Sequence, residues 1–125
     1  MARVGLILTP GFADWEYAFI AGTASPFYGI DVRFFASATG QFRSQGGLAV
    51  TVESSLQQCL DWKPDVVVVI GGVVWERAEA PDIREFLHAS RASGATIAGI
   101  CGGTLALARA SLLDTVPHTS NSADF

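Results

Sequence analysis

The stretch GATIAGICGGTLALARAS, residues 94–111, sets Cys101 between glycines where an apolar strand pattern gives way to an Ala/Leu-rich helical one. Gly99-Ile100-Cys101-Gly102-Gly103 fits the nucleophile elbow, Gly-x-nucleophile-x-Gly. A sharp strand-to-helix turn holds its central residue in a sparsely populated backbone region, so its neighbours must be free of clashing side chains. The turn lifts that side chain clear of the carboxyl ends of the strands, where α/β sheets bind ligands. The new helix then aims unpaired N–H groups and the positive end of its dipole at the sulfur, which favours thiolate, the reactive form. A free cysteine is often only a small buried hydrophobe. That reading suits Cys59, for which SSLQQCLDW offers nothing beyond helical spacing. At Cys101 the strand, the glycines and the helix coincide, and Cys101 is expected to be alkylated well before Cys59.

A thiolate that attacks a carbonyl needs donors for the oxyanion it creates. The backbone N–H of Gly102, the residue after the nucleophile, is one candidate. Gly72 is the second, because Gly71-Gly72 ends the apolar run DVVVVI at the same edge of the sheet; the pair also reads as a plain turn. Glu16 follows the first strand closely enough to reach that edge. Alone it reads first as a surface acid favoured by the start of a helix.

Apolar runs that alternate with helical patterns imply an α/β fold with helices on both faces of a mainly parallel sheet. The strand patterns are Arg3–Thr9, Ile30–Ser37, Asp65–Ile70 and Ala95–Ile100, and Thr39–Val52 reads as a hairpin with glycine turns. A helix follows Pro10-Gly11, with Asp14 as its N-cap, Trp15, Ala18, Phe19 and Gly22 at helical spacing, and an end before Pro26. Further helices are expected over Ser55–Trp62, Pro81–Ser93 and Gly103–Leu113. The 125 residues form one domain, half of them hydrophobic, with a net charge of −4 and no basic run. Nucleic acid and anionic membrane surfaces are therefore poor partners. The longest apolar stretch, VVVVIGGVVW, is too short to span a bilayer and is broken by glycines. The start reads as a strand rather than a signal peptide, and two irregularly spaced cysteines make no disulfide framework, so a cytoplasmic setting is expected. No cofactor and no metal site are expected.

PGFADWEYA, VVVVIGG and GICGGTLALARASLLD together resemble the ThiJ/PfpI superfamily, relatives of the Parkinson-associated deglycase and of glutamine amidotransferase domains. The resemblance runs from Arg3 to about Asn121. It implies a flavodoxin-like three-layer sandwich, a reactive elbow cysteine (here Cys101), a first-helix glutamate bonded to its sulfur (here Glu16) and a homodimer. It also implies a C-terminal strand and helix beyond this sequence, so the domain is expected to be incomplete at that end. Where many relatives have a histidine beyond the elbow this sequence has Asn121, with His118 three residues earlier. His118 in HTSN is either a site residue of one amidotransferase-like branch or a surface histidine. Gly102 replaces the histidine that the protease-like branch carries beside its cysteine, and the late His/Glu pair of amidotransferases has no counterpart, which weakens both readings.

Two functions follow from such an elbow. One is an enzyme in which Cys101 adds to a small electrophile (an α-oxoaldehyde, an isonitrile or an amide), with Gly72 and Gly102 holding the charge and Glu16 moving a proton. The other is a thiol redox sensor or binding module in which Cys101 is oxidised. Both faces of so apolar a sheet need cover, and no element follows HTSNSADF to supply it. The tail from Val116 onward is therefore expected to be disordered or to lie on a neighbouring chain. Light scattering should find a dimer or larger assembly; a well-behaved monomer would overturn this expectation.

Overall fold

The computed structural model describes residues 1–119, 121 and 122. Four parallel strands form the sheet: β1 (Arg3–Ile7), β2 (Asp31–Phe35), β5 (Val66–Val69) and β6 (Thr96–Gly99), in the order β2-β1-β5-β6. Strands β3 (Gly40–Arg43) and β4 (Ala49–Val52) pair as a separate antiparallel hairpin. The strand order reverses at β1, which lies between β2 and β5 with Leu6 opposite both Phe34 and Val68. Open parallel sheets bind ligands at the carboxyl edge of such a switch point.

The side-chain alternation of the strands divides the core in two. Ile7, Phe35, Val67 and Val69 face one side, where they pack with Cys59 of α2 (Leu56–Trp62), Phe86 and Leu87 of α3 (Arg84–Ala92) and Ala106 and Leu107 of α4 (Gly103–Arg109). Leu6, Leu8, Val68 and Ile70 face the other, under α1 (Asp14–Tyr28) and the hairpin residues Phe42, Val50 and Val52. This is the helix-covered parallel sheet with a small hairpin that the sequence patterns imply, and the flavodoxin-like sandwich that the ThiJ/PfpI resemblance implies. Among the described residues no helix is long and apolar enough to cross a membrane.

Helix α1 differs from expectation in three ways. Its N-cap position is Ala13, with no side-chain cap, and the Asp14 carboxylate instead accepts from the Gly46 N–H at 2.8 Å. The helix also continues through Pro26 to Tyr28. Pro26 deprives the Gly22 carbonyl of its donor, but Gly22 is exposed, so water can replace the lost bond. The helix stops at Gly29 instead, in a left-handed conformation with φ +64°. Finally, Trp15 and Phe19 point outward, 62% and 76% exposed, while Tyr17, Ile20 and Ala21 pack inward. Phe27 and Tyr28 prolong the exposed aromatic surface.

The glycines of the elbow are explained by contact. A Cβ on Gly103 would collide with the Val69 carbonyl oxygen, and one on Gly99 would lie 3.0 Å from the Gly103 carbonyl. Strand β5, strand β6 and the start of α4 therefore meet backbone to backbone. Gly103→Ala should lower the unfolding free energy by about 3 kcal/mol, the upper end of ordinary overpacking costs. Gly22→Ala, whose Cβ would meet nothing within 4 Å, should instead raise it by about 0.5–1 kcal/mol. Urea denaturation of the two variants checks both signs.

Candidate active site

Cys101 has φ +52°, the left-handed region, which costs a non-glycine residue on the order of 1–3 kcal/mol. Three bonds hold the turn: Gly103 N–H to the Ile100 carbonyl at 2.8 Å, and both the N–H (3.1 Å) and the Oγ1 hydroxyl (2.8 Å) of Thr104 to the Cys101 carbonyl. The result is an exposed cysteine at the carboxyl edge of the sheet. Cys59 is its opposite: buried against Gly5, its thiol pushed up to about 12 by desolvation.

Glu16 reaches the same edge from the first turn of α1. It is 6% exposed, and its Oε1 accepts from the Gly71 N–H at 2.8 Å, which ties α1 to the end of β5. Gly71 must be glycine here, because a Cβ would lie 2.9 Å from both carboxyl oxygens of Glu16 and from the Ile100 carbonyl. Oε2 is buried with no partner among the described residues. Burial raises the Glu16 carboxyl above its ordinary 4.5, and the Gly71 N–H opposes this only in part. The bond from Glu16 to the Cys101 sulfur that the resemblance implies is absent among the described residues, where Asn121 bonds the sulfur instead.

Gly72 and Gly102 abut one another, with a Cβ on Gly102 falling 3.1 Å from the Gly72 oxygen and 3.4 Å from its nitrogen. Neither N–H has an acceptor among the described residues. Both glycines line a cleft of about 190 Å³ together with Glu16, Cys101, Trp15, Gln45, Glu76 and Asn121. His118 is exposed and does not line the cleft. Asn121 does, and its Nδ2 donates to Cys101 Sγ at 2.9 Å. The tail expected to be disordered or to lie on a neighbour thus folds back, at Asn121, onto its own elbow; residues 120 and 123–125 lie outside the described residues.

Sequence reasoning places no role on Trp15, Gln45 or Glu76. Gln45 arrives through tertiary contact: the hairpin turn is bound to the loop before α1 by Gly11 N–H to the Arg43 carbonyl (2.7 Å) and Gln45 N–H to the Phe12 carbonyl (2.8 Å). Asp14 completes this brace. The Ser44 hydroxyl and the Gly46 N–H hold its carboxyl below the usual range. Asn121 had a signal, its position at the step where many ThiJ/PfpI relatives carry histidine.

A family model described as the DJ-1/PfpI family matches residues 2–124. The chain belongs to the DJ-1/PfpI family. It is 31% identical to a DJ-1 superfamily protein of Agrobacterium tumefaciens, with a TM-score of 0.92 over 99% of this chain and 66% of that one. A thiJ/pfpI family protein of Bacillus anthracis is 28% identical, with a TM-score of 0.80 over 98% of this chain and 61% of that one. Among curated proteins it resembles the uncharacterized protease YoaZ of Bacillus subtilis, 29% identical over 98% of this chain and 62% of the relative. The chain therefore spans slightly under two thirds of the length of these family members.

The raised Glu16 carboxyl has a stability consequence of fixed sign. Its contribution is fully present below its unfolded value near 4.5 and is lost as pH rises through the higher folded value, because the native state then holds a proton that the unfolded chain has released. Glutamine cannot titrate. Glu16→Gln should therefore gain stability relative to the parent chain as pH rises from about 4.5 toward neutrality, as measured by urea denaturation across that range. A pH-independent difference would show that burial of Glu16 does not perturb it.

Proposed function

We propose that this DJ-1/PfpI family chain is a cysteine-dependent enzyme acting on a small electrophilic carbon, with Cys101 as nucleophile. The observation that carries this reading is the grouping at one cleft of an exposed cysteine at positive φ with two adjacent N–H groups and a buried carboxyl oxygen that have no hydrogen-bond partner among the described residues. In the proposed step Cys101, as thiolate, forms a bond to the carbonyl carbon while the π electrons move to oxygen. The Gly72 and Gly102 amides receive the developing charge, and protonated Glu16 delivers its hydrogen to the new alkoxide. One proton thus passes from the thiol–carboxylate pair to oxygen, giving a hemithioacetal. For an α-oxoaldehyde the Glu16 carboxylate then moves the proton of the former aldehyde carbon to the neighbouring carbon, and water cleaves the resulting thioester to release the 2-hydroxy acid and the thiol. Asn121 holds the sulfur by its amide donor.

This chemistry favours aldehydes over amides. Both routes end with water cleaving a thioester, but amide cleavage must in addition protonate an amine leaving group, work done by histidine in thiol hydrolases. Among the described residues the cleft is lined by no histidine. His118 remains a candidate only through a movement of the tail that carries it. The B. subtilis relative is named a protease; for this chain, peptide hydrolysis is the less supported outcome. The cleft, at about 190 Å³, is below the roughly 300 Å³ at which drug-sized pockets begin, which supports a small substrate such as an α-oxoaldehyde. The same absence of histidine favours a second reading, in which Cys101 is a redox site oxidised by a peroxide and Glu16 bonds the oxidised sulfur. The outward aromatic stripe of Trp15, Phe19 and Phe27 is the surface we propose for a homodimer.

Turnover of methylglyoxal, glutamine and an isonitrile by the chain and by Cys101→Ser separates the readings. We expect turnover of methylglyoxal, lost by ~10³-fold or more in Cys101→Ser and reduced by ~10²-fold in Glu16→Gln. Activity retained without Cys101 would overturn the enzyme proposal. No turnover, with a sulfinate at Cys101 after dilute hydrogen peroxide, would establish the redox reading in its place.

A further inference from the structure

A second concavity lies away from the cysteine, between the 3₁₀ helix Val73–Glu76, the start of α3 and the end of α4. Its volume is about 390 Å³, twice that of the cysteine cleft and within the range that holds small organic ligands. Arg77, Arg84 and Arg109 line it, each delivered by a different element. They are three of the chain's eight basic residues, gathered at one place on a protein whose net charge is −4.

Among the described residues one carboxylate, Asp82, lines the same concavity, and Arg84 already occupies it. Arg84 Nε donates to Oδ1 at 2.9 Å and Nη2 to Oδ2 at 2.7 Å, a fork-to-fork pair. Arg77 and Arg109 have no acceptor and no ion pair among the described residues. Guanidinium groups converging without a partner repel one another, and an oxyanion between them relieves that repulsion while accepting paired N–H bonds. The floor is apolar. Trp75 and Ile83 close it from beneath but are themselves buried, with the Trp75 indole N–H spent on the Ile70 carbonyl at 3.0 Å, so the apolar surface on offer is that of half-buried Ala80 and Pro81. A charged rim above an apolar floor suits a ligand with one anionic head and one flat, apolar body.

We infer that this concavity is a binding site for a small organic anion, its carboxylate or phosphate head held by Arg77 and Arg109 and its apolar body laid on Ala80 and Pro81. The site is separate from the cysteine cleft and independent of the reaction proposed there. The 3₁₀ helix is the wall between them: Val73 and Glu76 line the cleft, whereas Trp75 lines the concavity.

Calorimetry with benzoate, phenyl phosphate, inorganic phosphate and neutral benzyl alcohol tests the inference. Benzoate or phenyl phosphate should bind saturably, and which of the two binds more tightly identifies the head group. Inorganic phosphate should bind at least tenfold more weakly than phenyl phosphate, and benzyl alcohol should not bind. Arg77→Gln with Arg109→Gln should weaken binding by tenfold or more; both side chains are exposed, so the fold should survive. Ala78→Glu, which brings a competing carboxylate to the rim from another exposed position, should weaken it similarly. Cys101→Ser should bind as the parent chain does, which keeps this result separate from the fate of the catalytic proposal. The inference fails if neither aromatic anion binds saturably. It fails equally if the double arginine variant binds as tightly as the parent, or if the neutral alcohol or bare phosphate matches the aromatic anions.

Discussion

The backbone of Gly103 lies so close to the Val69 carbonyl that no side chain fits between them, and the position of Cys101 depends on that approach. Because α4 begins against β5, the turn joining it to β6 has to be abrupt. An abrupt turn places its middle residue at positive φ, and the residue there is a cysteine rather than the glycine that would relax it. The strain is held by the flanking elements. Gly99 lets the strand end press on the helix start, and Thr104 closes the turn with both its N–H and its hydroxyl. The elbow is thus a consequence of packing between three backbones, and the exposed sulfur is the result.

The acid beside it is placed by a different balance. Burying a carboxyl group is unfavourable unless it is bonded, and Glu16 has one bond, to the Gly71 N–H. That bond joins the first turn of α1 to the end of β5, across the point where the strand order reverses. It leaves the second oxygen without a partner among the described residues, at the edge of a cleft. The loop that leads into α1 would be a poor support for Glu16 alone, but the hairpin turn grips it and the first residue of the helix through Arg43, Gln45 and Gly46. The hairpin, outside the main sheet, has two tasks. It covers one face of the core with Phe42, Val50 and Val52, and it stiffens the approach to the site.

Periodicity failed where chemistry at a distance changed the outcome. Trp15 and Phe19 have helical spacing and aromatic rings, yet they face outward. The inward stripe of α1 starts with the charged Glu16 and continues through Tyr17, Ile20 and Ala21. A polar residue leading a buried stripe is invisible to a hydrophobic pattern, since only its bond to Gly71 makes its burial tolerable. Pro26 misled for a related reason: its effect on a helix depends on whether the carbonyl one turn back can reach water, which exposure decides. Asp14 has the side chain of a cap, but the hairpin turn offers it a closer donor.

By itself the sequence determined the strands, through β-branched runs that only a doubly covered sheet can bury, and the elbow, through glycines spaced for a close crossing of backbones. Both are local properties: a few adjacent residue types restrict what the chain can do there. Tertiary structure alone decided the membership of the cleft. Gln45 and Glu76 come from a hairpin turn and a 3₁₀ helix, and no spacing in the chain relates them to Cys101. It also chose between two polar residues in the tail, setting Asn121 on the sulfur and leaving His118 exposed. Residues three apart in an extended tail differ little in local preference. Which of them meets the sulfur depends on the path of the whole chain around the sheet, and that path is a sum of distant contacts.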